Sequence, residues 1–210
     1  MSKRVLVVRP DDKDELNYLS QWSSEILEFA KGNGIDIDDL GFKESAKERF
    51  KASLARSPGL IVFNCHGTPT SILGKAEEEL INVKTSDDLK STIIFARVCF
   101  VGQAFEENPT KTKAFLGFTS VFGFPMDPGL GFTPTEDPQA MPFMNITNRI
   151  AVSLLKGNTV GDVYQSAIKA FESAIIKAEG SFEPGSFDQL VWLKNDLDCF
   201  IQTGDPTVQF

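Results

Sequence analysis

Apolar residues along the 210-residue chain gather in two ways, as short unbroken runs and as longer stretches with mostly three- and four-residue spacing. The run at residues 5–8 reads as a strand. The stretch at 16–31 reads as a helix, with Leu16, Leu19, Trp22, Ile26, Leu27 and Phe29 along one stripe and Gly32 as its stop signal. A strand near 35–40 and a helix over 44–56 follow, giving βαβα order. Residues 60–64, 93–98 and 114–118 are nearly continuous apolar runs, the pattern of central strands covered on both faces. Helices are predicted around 146–155 and 160–178, the second capped by Asn158 or Thr159, and a last strand at 199–202 precedes the turn Gly204-Asp205-Pro206.

One segment breaks this alternation. Residues 122–143 hold five of the eleven prolines, so the reading here is a long loop in which no regular element persists. Seven large apolar side chains, Phe122, Phe124, Met126, Leu130, Phe132, Met141 and Phe143, are too many for a disordered linker. The expectation is a loop that folds over a site.

Composition narrows the choices. A hydrophobic content of 41% is enough for one substantial core, so residues 1–210 read as a single domain. The net charge of −8, with no long basic run, argues against nucleic acid as a partner. The chain offers neither a membrane-span pattern nor a signal-peptide core, and the expected location is cytoplasmic. Three widely spaced cysteines argue against a disulfide framework, and a single histidine without a Cys-x-x-Cys pair argues against zinc. No metal or cofactor is expected.

The candidate chemistry sits at strand ends. Leu60-Ile61-Val62-Phe63-Asn64-Cys65-His66-Gly67 brings the only histidine to the C-terminal end of a buried strand, where open α/β sheets place their sites. A second buried strand, Thr92-Ile93-Ile94-Phe95-Ala96-Arg97-Val98, ends in Cys99. If the two strands are parallel, both groups emerge at one edge. An imidazole there can take the thiol proton, stabilise the thiolate and later protonate a leaving amine, while the N–H groups of Gly67 and Cys99 are placed to hold an oxyanion. That is acyl-transfer chemistry. Cys65, next to His66, points to the opposite face of its strand, and Cys199 lies in an apolar terminal strand, so both read as structural. Asn64 is a candidate for orienting the imidazole.

A hydrophobic strand ending in His-Gly, followed by one ending in a Cys-containing turn, resembles the two signatures of the caspase, gingipain and CHAT-domain cysteine peptidases. Cys99-Phe100-Val101-Gly102 resembles the gingipain-type nucleophile turn, and Ala114-Phe115-Leu116-Gly117-Phe118 the strand after it. Gly157-Asn158-Thr159-Val160-Gly161-Asp162 is similar to a CHAT-domain helix start, and Gly204-Asp205-Pro206-Thr207-Val208 to the closing segment. Two features depart from the pattern: Arg97-Val98 precedes the cysteine where small residues are common, and the caspase-type Gln-Ala-Cys is lacking.

The resemblance implies a three-layer α/β/α caspase-like fold around a mostly parallel sheet. It also implies cleavage of protein or peptide substrates by a His66–Cys99 dyad, with Gly67 in the oxyanion hole. Superfamily members commonly select the residue before the cleaved bond through a charged pocket. Asp127, Glu136 and Asp137 in the long loop are candidates for a pocket taking Arg or Lys, while Arg97 and Arg149 keep acidic substrates open. Two alternatives stand beside this reading: a catalytically silent module that binds a protein partner through the Phe- and Met-rich loop, and an unrelated small-molecule hydrolase or ligand-binding domain. A regulatory partner is compatible with either peptidase-like reading.

Overall fold

A computed structural model describes residues 3–41, 45–127 and 131–210. Its centre is a six-stranded sheet made of β1 (Arg4–Val8), β2 (Asp36–Leu40), β3 (Leu60–Asn64), β7 (Ile93–Arg97), β8 (Ala114–Phe118) and β9 (Phe200–Gly204). The spatial order is β2-β1-β3-β7-β8-β9, parallel throughout except for the β8–β9 pair. The chain steps one way from β1 to β2 and the other way from β1 to β3, so the crevice at the C-terminal ends of β1 and β3 is the natural ligand edge.

Alternation along the strands divides the apolar residues into two cores. Val5, Val7, Leu60, Val62, Phe95 and Leu116 face one side, and Leu6, Val8, Ile61, Phe63, Ile94 and Phe115 the other. The first core is closed by α1 (Asp14–Gly32), α4 (Met141–Leu155), α5 (Val160–Glu179) and α6 (Ser186–Cys199). The second is covered by α2 (Lys47–Leu54), α3 (Gly102–Glu107) and a small antiparallel sheet of β4 (His66–Gly67), β5 (Ser71–Leu73) and β6 (Glu79–Asn82). This is a mixed α/β architecture with a mostly parallel sheet, as the residue pattern predicts.

The differences from expectation have local causes. The predicted helix at 44–56 is found as α2, with Glu44 outside the described residues. The proline-rich segment is not irregular to its end, because α4 begins at Met141. Pro142 fits in its first turn, where the missing N–H has no intrahelical partner to lose. Cys199 ends a helix rather than lying within the last strand, which starts one residue later. Both α6 and the β4–β6 hairpin are additions. Thr159 does cap α5, its hydroxyl accepting the Asp162 N–H at 3.1 Å.

The long loop is pinned to α1. Trp22 Nε1 donates to the Pro134 carbonyl at 2.8 Å, Tyr18 donates its hydroxyl to Asp137 at 2.7 Å, and the Phe124 ring lies 4.6 Å from that of Trp22. Pro128 and Leu130 of this loop lie outside the described residues.

Candidate active site

Strand register directs the two chemical groups to one edge of the sheet. β3 and β7 are adjacent and parallel with Asn64 opposite Arg97, so His66 and Cys99, each two residues further on, leave the sheet at the same edge. Gly67 tightens the approach. A Cβ on it would lie 2.8 Å from the Cys99 carbonyl oxygen and would overlap the Val98 side chain, so only glycine lets these two chain segments close up. After Cys99 the chain turns sharply through Phe100, at φ 65°, and enters α3 at Gly102.

A third group comes from the first turn of α1. Glu15 Oε1 lies 3.3 Å from His66 Nε2, an ion-pair distance, though the geometry is not aligned for a hydrogen bond. The negative charge of Glu15 also acts on Cys99. Sequence reasoning missed this residue, which stands 51 positions before the histidine among 29 acidic side chains and carries no local signature. Asn64 does not take the orienting role, since its Nδ2 donates to Ser23 Oγ at 3.0 Å on the α1 side.

The thiol is at rest. Cys99 Sγ donates to the Phe122 carbonyl at 3.6 Å, and among the described residues no hydrogen bond joins it to His66. Burial pushes the Cys99 pKa up, with the charges of Asp196 and Glu15 adding in the same direction. The other cysteines are more strongly suppressed. Burial pushes Cys65 far up and Cys199 up to about 12.

Residues 121–123 form the wall against which the thiol rests, and α6 holds that wall from behind. Asn195 donates to the Val121 carbonyl at 2.7 Å, the Gly123 N–H donates to Asp196 at 3.2 Å, and a Cβ on Gly123 would overlap the Trp192 indole. Asp196 is fully buried, and burial raises its carboxyl well above the usual carboxylate range.

The acidic loop candidates have other partners. Asp137 is buried and its oxygens are taken by Tyr18 Oη and by the N–H groups of Asp127 and Gln139. Burial opposes its ionisation, yet these bonds outweigh it and hold the carboxyl below its ordinary value. Glu136 accepts from the Thr133 hydroxyl in an exposed turn, and Asp127 is half-buried. Among the described residues no hydrogen bond or ion pair joins any of the three to Cys99 or His66. Arg149 is exposed on α4, whereas Arg97 is buried beneath the site. Among the described residues no group of three or more His, Cys, Asp or Glu side chains could hold a metal, and no helix is long and apolar enough to cross a membrane.

No protein-family model and no curated protein sequence matches the chain. Solved structures do. One is the Arg-specific cysteine proteinase gingipain R, with a TM-score of 0.60 and 17% identity, covering 98% of this chain. The match takes in 47% of the gingipain chain, so the present chain spans about half the length of that neighbour. The likeness extends over nearly every element described above and is one of fold.

Proposed function

We propose that the chain is a cysteine endopeptidase in which Cys99 attacks the substrate carbonyl and His66 acts as general base and then general acid. The observation that carries this reading is the β3–β7 register, which delivers the only histidine and a partly buried cysteine to one edge of the sheet. The fold likeness to a cysteine proteinase supports it independently. His66 removes the thiol proton, the thiolate adds to the carbonyl carbon, and the N–H groups of Gly67 and Cys99 stabilise the oxyanion. Collapse of the tetrahedral adduct expels the amine, which takes its proton from His66, and water then hydrolyses the thioester with His66 again as base. Glu15 favours the imidazolium formed on the way. This chemistry requires no metal or cofactor, and its substrates are proteins or peptides.

A second reading is favoured by the resting thiol. Cys99 bonded to Phe122 O rather than to His66 suits a silent module that binds a protein partner through the same loop. Digestion of fluorescently labelled casein separates the two. The peptidase reading expects wild-type cleavage that Cys99→Ala and His66→Ala each abolish, whereas cleavage that survives both substitutions, or none at all, contradicts it.

A further inference from the structure

The helical side of the molecule carries an apolar surface that no described residue covers. Four of the seven exposed large apolar side chains among the described residues, Ile176, Phe182, Phe187 and Val191, fall at the end of α5, in the turn after it and on α6. Phe182 is fully exposed and Phe187 is 73% exposed. The turn that presents them is nevertheless built. Gln139 Nε2 donates to the Pro184 carbonyl at 2.7 Å, and Ser186 Oγ donates to the Ser181 carbonyl at 3.2 Å. Gly185, at φ 80°, leaves no room for a Cβ beside the Gln139 amide. Two phenyl rings are thus held out to solvent on an ordered turn, which has little left to order on binding.

Beside this knob lies a groove of about 660 Å³ between α4, α5 and α6, and Ser181, the residue before Phe182, lines its rim. Its apolar lining includes Met141, Ile146, Ala170, Ala174 and Leu193, the two alanines giving it depth along α5. Arg149 of α4 and Lys177 of α5 also line it, and neither has an ion pair among the described residues. On the knob, Glu183 and Asp188 stand next to the two phenylalanines, exposed and equally without an ion pair. One face of the chain therefore holds two exposed rings flanked by acids and, next to them, an apolar groove flanked by bases.

We propose that this face binds a second copy of the chain across a two-fold axis, the 182–188 knob of each copy seated in the α4–α6 groove of the other, with Glu183 and Asp188 meeting Lys177 and Arg149. A patch that carries both a knob and its complement is self-complementary, which is what an isologous dimer requires. Charge selects this occupant as well. With a net charge of −8, two copies repel one another over most of their surfaces and approach where local acids face local bases. Two phenyl rings of about 150–200 Å² each, with a similar area of groove, make about 600–800 Å² per copy, close to what a specific dimer buries on each side. Association here does not depend on whether Cys99 is a nucleophile.

Sedimentation velocity of the wild type from about 1 to 100 µM should show a monomer–dimer equilibrium. Phe182→Asp combined with Phe187→Asp is expected to weaken it at least 100-fold, as loss of two aromatic anchors does. Lys177→Glu combined with Arg149→Glu should weaken it about 10-fold, and adding Glu183→Lys and Asp188→Lys to that pair should recover most of the loss. All six side chains are exposed, so the variants are expected to fold, and thermal unfolding checks that they do. A wild type that stays monomeric up to about 100 µM overturns the proposal, and so does a dimer that withstands loss of both phenylalanines. A dimer lost with the phenylalanines but indifferent to Lys177 and Arg149 packs ring against ring and overturns the groove as their seat. Hydrogen exchange of the wild type at low and high concentration needs no variant. Protection gained at 181–189 and along the groove is expected, whereas protection confined to the edge strands β2 or β9 moves the contact elsewhere and contradicts the assignment.

Discussion

Glu15 Oε1 stands 3.3 Å from His66 Nε2, so the first turn of α1 places a carboxylate beside the imidazole that β3 delivers. In the proposed mechanism, a negative charge there would assist the histidine as it accepts the thiol proton. Glu15→Gln is expected to lower kcat/KM about tenfold, within the range of a lost general-base assistant, while leaving the unfolding temperature nearly unchanged, because the pair is part-exposed. Steady-state kinetics beside thermal unfolding checks it. Unchanged kinetics would remove Glu15 from the site.

Cys99 is an acid whose pKa is raised by burial, so its thiolate fraction, and with it the alkylation rate, grows as pH rises, with a midpoint above that of an ordinary thiol near ~8.5. Iodoacetamide labelling across pH, read at Cys99 by peptide mapping, should show that displaced midpoint in the absence of substrate. A midpoint below the ordinary value would mean that the resting site already activates the thiol.

Asp196 gives a stability prediction of definite sign. Its folded pKa is raised, so the native state holds its proton longer than the unfolded chain does. Stability from this group is therefore present below the unfolded value of about 3.9 and is lost as pH climbs from there toward the folded pKa. Asp196→Asn keeps an acceptor for Gly123 N–H and is expected to gain stability relative to wild type as pH rises above about 4. Denaturant unfolding at several pH values measures it, and a wild type that gains on the variant as pH rises would contradict the assignment.

Asp137 behaves in the opposite way. Its folded pKa is lowered, so its contribution is present above the ordinary carboxylate value and is lost as pH falls through the folded one. Asp137→Ala leaves the Tyr18 hydroxyl and the Asp127 and Gln139 N–H groups unpaired and should cost about 2–4 kcal/mol at neutral pH. The same titration of stability applies, and a loss under 1 kcal/mol would show that the loop is not anchored there (threshold of about 1 kcal/mol).

At Gly123 the wall of the site meets the Trp192 indole with no room for a Cβ. Gly123→Val should cost about 1–3 kcal/mol by overpacking, and it should depress kcat more than stability, because the displaced segment carries the Phe122 carbonyl that touches Cys99. A fully active Gly123→Val would uncouple α6 from the candidate site.

Much of this was legible in the chain itself. β3, β7 and β8 are buried on both faces, and such strands must be written as unbroken apolar runs, so their ends and the His66 and Cys99 that follow could be read directly. Less visible was α6, whose stripe at Leu190, Leu193 and Leu197 is blurred by Val191 and Trp192 in the same four-residue apolar run. The β4–β6 hairpin escaped because its strands are only two to four residues long, and β4 is the His-Gly motif itself. Glu15 and Asp196 gain their positions from tertiary contacts alone, which no spacing encodes. Arg97 was visible as a charge inside a buried strand, but that its Nε and Nη1 lack hydrogen-bond partners among the described residues could be seen only once the neighbours were in place.

The central claim is that Cys99 is a nucleophile assisted by His66, and covalent trapping tests it most directly. Intact-mass analysis and peptide mapping after exposure to a mixture of peptidyl acyloxymethyl ketones should find one adduct, on Cys99, forming at least 100-fold more slowly in His66→Ala and never on Cys65 or Cys199. Equal labelling in the His66→Ala variant, an adduct on another cysteine, or no adduct at all would contradict the account.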